Sequence, residues 1–494
     1  MNKLIICCDG TWNAPDHEDE GVPAPSNVYK LFCALDTSQD HQQLTRYQSG
    51  IGTGGLLDKA MGGAVGYGLS QDIRDCYQWL ANKYRPGDAV YLFGFSRGAY
   101  TARSLAGMIG RFGIVKLAPR QDWEQLVKKI YRDGYRNRAP TESLGAEFHP
   151  DSDKVHFVGV WDTVGALGIP DDKALLNIFD NPIAYSFHDT QLGNNIAIAR
   201  HAVALDEKRG SFTPTLWDTQ NYSGDVQQLW FPGVHCDVGG GYKEHGLSDG
   251  ALQWLIDEAH RAGLIFISDV IDQIEPNPHD IKHESYNGIM KALDSMPRSI
   301  PRLDGSDNFH PSVDQRRSQT PINQGAYLPT HRIDHQPFSI DIYAKNPWNW
   351  TGIYLQAGKS YQFDASGQWM DASIRTGPAG ADDGKFHVGE IAHMAGTVTG
   401  WFEKGWKGVF GNEQANFFGT KRIEHADWFT LIGAVADGGN PKADGTPQRA
   451  TLIEIGEKQL FHCHKSGYLY CFANDAWGFY HNNRGYLTLT IKQL

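Results

Sequence analysis

A serine set between two glycines, Gly94-Phe95-Ser96-Arg97-Gly98, joins the apolar run Ala89-Val90-Tyr91-Leu92-Phe93 to the helix-forming run Ala99-Tyr100-Thr101-Ala102-Arg103-Ser104-Leu105-Ala106. A strand must turn into a helix within these few residues. The serine then occupies the strained bend, and a side chain at either flanking glycine would strike neighbouring backbone. The pattern is that of a nucleophile elbow. A chance match is the alternative in a chain with 55 glycines, but the strand before it and the helix after it count against chance.

At 494 residues the chain is long enough for two or three domains, each with its own core. The formal net charge of −12 argues against a general nucleic-acid surface, a local basic patch being the alternative, and gives no long-range attraction to anionic membranes. No apolar run approaches the roughly 18 residues of a membrane span. Met1-Asn2-Lys3-Leu4-Ile5-Ile6-Cys7-Cys8 meets Asp9 too soon for a signal peptide. The expectation is a soluble chain made in the cytoplasm. Seven scattered cysteines form no C-x-x-C pair, so no zinc site is indicated, and Cys463 and Cys471 could pair only in an oxidising space.

Lys3 to Cys8 reads as a buried strand cut off by the turn-forming Asp9-Gly10-Thr11-Trp12-Asn13, and Asp72 to Tyr84 as a helix ending before Pro86-Gly87-Asp88. Val155 to Trp161 and Leu229 to Val234 are further buried strands. Asn194 to Leu205 reads as a helix between them, and Leu252 to Ala262 as the last large helix. Strands alternating with helices predict an α/β fold with a mainly parallel sheet, functional residues gathering at strand carboxyl ends. Residues 1–267 form this domain, 268–336 an irregular Pro-, Asp-, Ser- and His-rich connection, and 337–494 a set of short β-prone runs that predicts a β-sandwich.

An activated serine needs a base beside it and a carboxylate behind the base. In α/β-hydrolases the chain order is nucleophile, acid, histidine. Asp162, after Val160-Trp161, and His235, after Gly233-Val234, supply that order from two strand ends. Taken singly, an aspartate after a strand is more often a turn former and a histidine more often a satisfied core residue. Order and placement together favour the triad. Asp237 and Asp206 are the rival acids, His201 and His245 the rival bases. The oxyanion donors are expected at the backbone N–H of Arg97 and in Gly10-Thr11, the alternative for the latter being a plain tight turn. The chemistry needs no cofactor.

Five blocks resemble those of the type VI secretion phospholipase effectors: Cys8-Asp9-Gly10-Thr11-Trp12-Asn13, Gly94 to Tyr100, Val160 to Gly165, Ala204 to Glu207 with Phe212-Thr213-Pro214, and Gly233 to Tyr242. The resemblance covers roughly the first 260 residues and implies a triad of Ser96, Asp162 and His235 acting on fatty-acyl esters of membrane phospholipids. It also implies export through a type VI system into a target cell envelope, a secretion spike component as carrier, and an immunity protein in the producer.

Gly50-Ile51-Gly52-Thr53-Gly54-Gly55 matches a dinucleotide fingerprint without its flanking strand and helix. Gly50 to Gly68, with Leu56, Leu57, Met61, Val65 and Tyr67, reads instead as a flap for acyl chains or as a connecting loop.

Asn474 to Gly485 gathers a carboxylate and three amides within ten residues, a hard-oxygen set that suits calcium, or an Asx-rich turn. Pro337 to Leu494 resembles the bacterial calcium-dependent galactose-binding lectins. The resemblance implies calcium held by Asp475, the carbonyl of Phe479, Asn482 and Asn483, with a further ligand near Asp371. Gly377-Pro378-Ala379-Gly380 departs from the sugar-contacting pattern, so the implied ligand is a glycan, a lipid headgroup or a delivery partner rather than galactose itself. Two other functions stay open: a glycan-binding adhesin on a hydrolase scaffold, and an esterase or thioesterase with another substrate.

Overall fold

The computed structural model describes all residues except 12, 51–63, 120, 166–190, 287–294, 305–306, 322–323, 372, 382–420 and 443–444. The first part is built on β1 (Lys3–Cys8), a small hairpin of β2 (Glu18–Asp19) and β3 (Val22–Pro23), α1 (Asn27–Ala34), β4 (Gln43–Gln48), α2 (Ala64–Lys83) and β5 (Ala89–Phe95). Then come α3 (Arg97–Phe112), α4 (Trp123–Lys129), β6 (Val155–Trp161), β7 (Ile196–Ala204), β8 (Asp225–Phe231), α5 (His235–Gly239) and α6 (Gly246–Arg261). Six strands form one parallel sheet in the order β4-β1-β5-β6-β7-β8. A parallel sheet is covered on both faces, and its strands therefore read as continuous apolar runs. Alternate residues separate cleanly here. Leu4, Ile6, Val90 and Leu92 face α2 and α3, and Ile5, Cys7, Tyr91 and Phe93 face α1 and α6.

The segment read as a helix over Asn194 to Leu205 is the strand β7, buried from Ala199 to Ala204. Its alanines favour a helix locally, but a two-faced slot between β6 and β8 needs small and β-branched residues, and that context wins over propensity. α2 begins eight residues before the predicted helix start, and α6 six residues before.

Strand order places the site. β4 lies on one side of β1 and β5 on the other, so the chain reverses its direction of travel across the sheet between β1 and β5. The crevice at such a switch point is where open α/β sheets bind ligands. Cys8 pairs with Gly94 and Phe95 with Trp161, which sets the residues following β1, β5 and β6 level at the carboxyl edge.

The chain continues through α7 (Ser268–Ile271) and α8 (Pro311–Ser318) into β9 (Phe338–Tyr343), β10 (Asn349–Leu355), β11 (Ser360–Asp371), β12 (Ile374–Thr376), β13 (Leu431–Ala436), β14 (Thr451–Glu454), β15 (Lys458–His462), β16 (Gly467–Ala473) and β17 (Asn483–Gln493). Two antiparallel sheets, β10-β16-β13-β14 and β12-β11-β17-β9 with β15 on β11, enclose a core of Phe363, Trp369, Leu431, Leu469 and Leu489. β16 is buried on both faces. Leu469 and Cys471 point into the sandwich, while Tyr468 and Tyr470 pack with Ile300, Leu303 and Val313 of the connecting segment and with Val203 and Trp230 of the first sheet. All seven cysteines, Cys463 and Cys471 included, are free thiols.

Candidate functional site

Ser96 follows β5 and caps α3 with φ 58° and ψ −122°. A non-glycine residue in a sparsely populated backbone region costs about 1–3 kcal/mol and persists only where its surroundings enforce it. Here both neighbours are squeezed: a Cβ on Gly94 would lie 2.4 Å from the Gly98 carbonyl oxygen, and one on Gly98 2.1 Å from that of Cys8. Those two distances explain the glycine spacing. The Ser96 Oγ is buried and has no hydrogen-bond partner among the described residues. An unpaired buried hydroxyl is costly and marks a group kept for another purpose.

The Ser96 N–H donates to Trp161 O at 3.1 Å, and Asp162 is the next residue along β6. Asp162 is wholly buried, with φ 35°. Its carboxylate accepts four hydrogen bonds. Oδ1 takes Ala204 N at 2.9 Å and Arg298 Nη1 at 2.6 Å, while Oδ2 takes His235 Nδ1 at 2.5 Å and Arg298 Nη2 at 2.8 Å. Burial by itself would raise the carboxyl. The Arg298 guanidinium, followed by His235, overrides burial and holds it well below the usual carboxylate range.

His235 does not end a strand. β8 stops at Phe231, the chain turns through Gly233 at φ 108°, and His235 opens the short helix α5. A Cβ on Gly233 would fall 2.3 Å from the Asp237 Cβ. The imidazole is seated between Phe95, 4.5 Å between ring centroids, and Phe212 at 4.9 Å. Its backbone N–H donates to Glu207 Oε2 at 3.2 Å. Burial lowers its pKa, opposed by Asp162, and the net direction is down. The ring is therefore neutral at pH 7. With the Nδ1 proton given to Asp162, Nε2 is the free acceptor.

The rivals are occupied elsewhere. His201 accepts Thr163 N at 3.1 Å and meets Gln228 Oε1 at 2.9 Å, burial lowering it to about 3. His245 pairs with Asp249 at the start of α6. Asp206 accepts Gly233 N and the Tyr327 hydroxyl, and Asp237 accepts Val234 N and His283 Nδ1.

Gly10 is not the spare oxyanion donor expected of it, because its N–H is committed to Asp9 Oδ1 at 2.7 Å. What Gly10 supplies is room. A Cβ there would come 3.2 Å from the Ser96 Cβ, and Gly50 packs against its carbonyl. Asp9 also accepts Asn13, Ser26 and Tyr47, which fixes the loop beside the serine. Thr11 follows Gly10 in the same loop, and Arg97 N lies in the first turn of α3, whose amides have no intrahelical partner.

Sequence reasoning missed Arg298 and the buried pair Glu207–Arg209, 2.8 Å apart. The one signal for Arg298 was its place in Pro297-Arg298-Ser299-Ile300-Pro301, where two prolines stiffen an otherwise aperiodic stretch. The glycine-rich stretch read as a flap or fingerprint lies, over 51–63, outside the described residues.

Residues 2–258 match the family described as type VI secretion system phospholipase effector, Tle1-like, catalytic domain. The chain belongs to this Tle1-like family. A curated relative, an uncharacterized protein of Saccharomyces cerevisiae (YEL023C), is 32% identical over 237 residues, which is 42% of this chain and 32% of the relative. The chain thus spans about a third of that relative's length. Among solved structures, a Tle1 effector bound to the VgrG spike of the type VI secretion system is similar at 20% identity, TM-score 0.29, covering 49% of this chain and 51% of that one. The EclA N-terminal domain, a PllA-like lectin, is similar at 17% identity, TM-score 0.19, covering 32% of this chain and 95% of that one. No described helix of this Tle1-like chain is long and apolar enough to cross a membrane.

In the sandwich, the residues predicted to hold calcium come together. Asn483 Nδ2 donates to Asp475 Oδ2 at 2.8 Å and Asn482 Nδ2 to Asp371 Oδ1 at 2.6 Å. The Asn482 and Asn483 Oδ1 atoms are buried without hydrogen-bond partners among the described residues. The Phe479 carbonyl accepts Asn482 N at 3.2 Å. Burial, aided by Asp371, pushes the Asp475 carboxyl up to about 7. Orphaned acceptor oxygens beside a buried carboxylate whose hydrogen-bond donors are all neutral fit a hard cation. Among the described residues no cluster of three or more His, Cys, Asp and Glu side chains is arranged for a metal; this loop relies on two carboxylates and amide oxygens.

Proposed function

We propose that the chain is a lipolytic serine hydrolase that cleaves fatty-acyl esters of membrane phospholipids, with Ser96 as nucleophile, His235 as base and Asp162 as acid. The observation that carries the reading is the 2.5 Å contact between His235 Nδ1 and Asp162 Oδ2 at the same sheet edge as the Ser96 elbow. In this scheme His235 Nε2 takes the Ser96 hydroxyl proton as Oγ attacks the ester carbonyl carbon. The oxyanion is stabilised by the N–H of Arg97 at the start of α3 and that of Thr11 in the loop after β1. Imidazolium then returns the proton to the departing alcohol, leaving an acyl-enzyme. Water, deprotonated by the same Nε2, releases the fatty acid. Asp162 holds the tautomer and stabilises the imidazolium throughout. A Ser96–His235 hydrogen bond is expected to form when substrate is bound, since such contacts close up in the substrate complex.

Family membership supports delivery by a type VI system; in this reading a spike protein is the carrier and an immunity protein guards the producer. A calcium ion held by Asp371, Asp475, Asn482, Asn483 and the Phe479 carbonyl would neutralise the two carboxylates and offer Lewis-acid positions to oxygens of a glycan or lipid headgroup. Replacing Ser96 with Ala is expected to remove at least about 10³-fold of fatty-acid release from phosphatidylethanolamine or phosphatidylglycerol vesicles. Unchanged release would end the reading.

A further inference from the structure

We propose that Arg298 is a positioning residue of the triad, which orients Asp162 and sets how strongly its charge acts on His235. The proposal rests on the triad reading above. Arg298 comes from the connecting segment rather than from the α/β sheet, yet its side chain is only 3% exposed and grips both oxygens of Asp162, at 2.6 and 2.8 Å. The same two nitrogens donate to Ala204 O at 2.5 Å and Phe212 O at 2.6 Å. One guanidinium thus touches the acid, the end of β7 and the residue whose ring packs on His235. A planar fork can hold a carboxylate in one orientation; a single ammonium cannot. Without it, Asp162 Oδ1 would keep Ala204 N and Oδ2 would keep His235 alone.

The charge has a second consequence. Besides Asp162, the charges acting on His235 are Glu207, which favours the imidazolium, and Arg209, which opposes it; a permanent cation on Asp162 offsets part of the remaining negative field, so His235 stays neutral, and able to act as base, at lower pH than in its absence. Arg298 is itself held in place from the sandwich. Ser295 Oγ accepts Trp348 Nε1 at 3.0 Å and Leu303 N donates to the Tyr468 hydroxyl at 2.8 Å, bracketing residues 295–303. Through this segment the β-sandwich supports the catalytic acid. Arg298 also lines a cavity of about 460 Å³, through which a small cation can reach the position of the lost side chain.

The full chain is assayed on a short-chain phosphatidylethanolamine, with kcat and KM measured from pH 4.5 to 9. Arg298→Met is expected to lower kcat about 100-fold and to move the acidic limb of the profile upward by about one pH unit. Methylguanidinium is expected to restore part of the kcat of Arg298→Ala. A limb that stays in place, with or without loss of kcat, overturns the proposal, since a merely structural role changes the amount of active enzyme and not its titration. If Arg298→Met does not fold, Arg298→Lys decides. It keeps the charge and loses the fork, so kcat should fall about tenfold with the limb in place, and an unchanged kcat overturns the proposal. Ser96→Ala is run beside these variants. If it is inactive while Arg298→Met behaves as wild type, only the positioning role fails; if it is active, the triad and the positioning role fall together.

Discussion

Two buried aspartates, one in each half of the molecule, meet the same problem with opposite solutions. Asp162 and Asp475 are both almost wholly out of solvent. Asp162 lies against a guanidinium fork and is held ionised, whereas the hydrogen-bond donors to Asp475 are neutral, Ala476 N and Asn483 Nδ2, and its carboxyl is pushed up to about 7. A buried charge is stable when its partner is built into the chain, and costly when it is not. The first site is complete as folded. The second is one that a cation would complete, which is why the proposed calcium belongs to the sandwich and not to the catalytic edge.

Neutralising each aspartate is the sharpest way to break that comparison. Asp162→Asn should lower kcat about 10⁴-fold by losing the tautomer that presents Nε2 to the serine. It should also destabilise the fold by about 3–5 kcal/mol, because Arg298 is left as a buried unpaired cation. Thermal unfolding and vesicle hydrolysis of the same preparation check both effects. Asp475→Asn should do the reverse, leaving stability in chelator unchanged or higher at pH 7.5 while abolishing any stabilisation by calcium. Equal losses of stability from the two variants would erase the distinction.

The smaller effect is the pH dependence of calcium binding in the wild-type chain. With no cation, the folded state keeps a proton on Asp475 between about pH 4 and 7 that the unfolded state has released. The native state then binds more protons, so stability falls as pH rises through that window. A bound calcium ion would displace that proton and remove the penalty. Its stabilisation should therefore be small at pH 5 and reach about 1–3 kcal/mol above pH 7 at millimolar calcium, read as the difference in melting temperature with and without chelator. A difference that is flat with pH would separate Asp475 from the ion.

What could be read in the sequence follows from how local each constraint is. The Ser96 elbow is visible because its strain is met within five residues, by glycines at 94 and 98. Asp162 and His235 are visible because a parallel sheet brings strand ends together whatever the loops between them do. The exact place of His235 was not, since the turn at Gly233 that carries it beyond β8 depends on packing against Asp237. β7 was misread because its alanines satisfy helix propensity, while the slot between β6 and β8 is a property of the sheet. Arg298 left almost no trace: its partner lies 136 residues earlier in the chain, and nothing periodic surrounds it. Gly10 lies beside the serine, and only the folded loop reveals that Asp9 takes its N–H.

The most direct test of the central claim is covalent. Wild-type chain treated with a fluorophosphonate bearing an acyl-like tail, digested and mapped by mass spectrometry, should carry one phosphonyl group on Ser96, in step with loss of hydrolysis, and His235→Ala should not be labelled. An enzyme fully inhibited with the adduct on another residue, or fully active with Ser96 modified, would contradict the account.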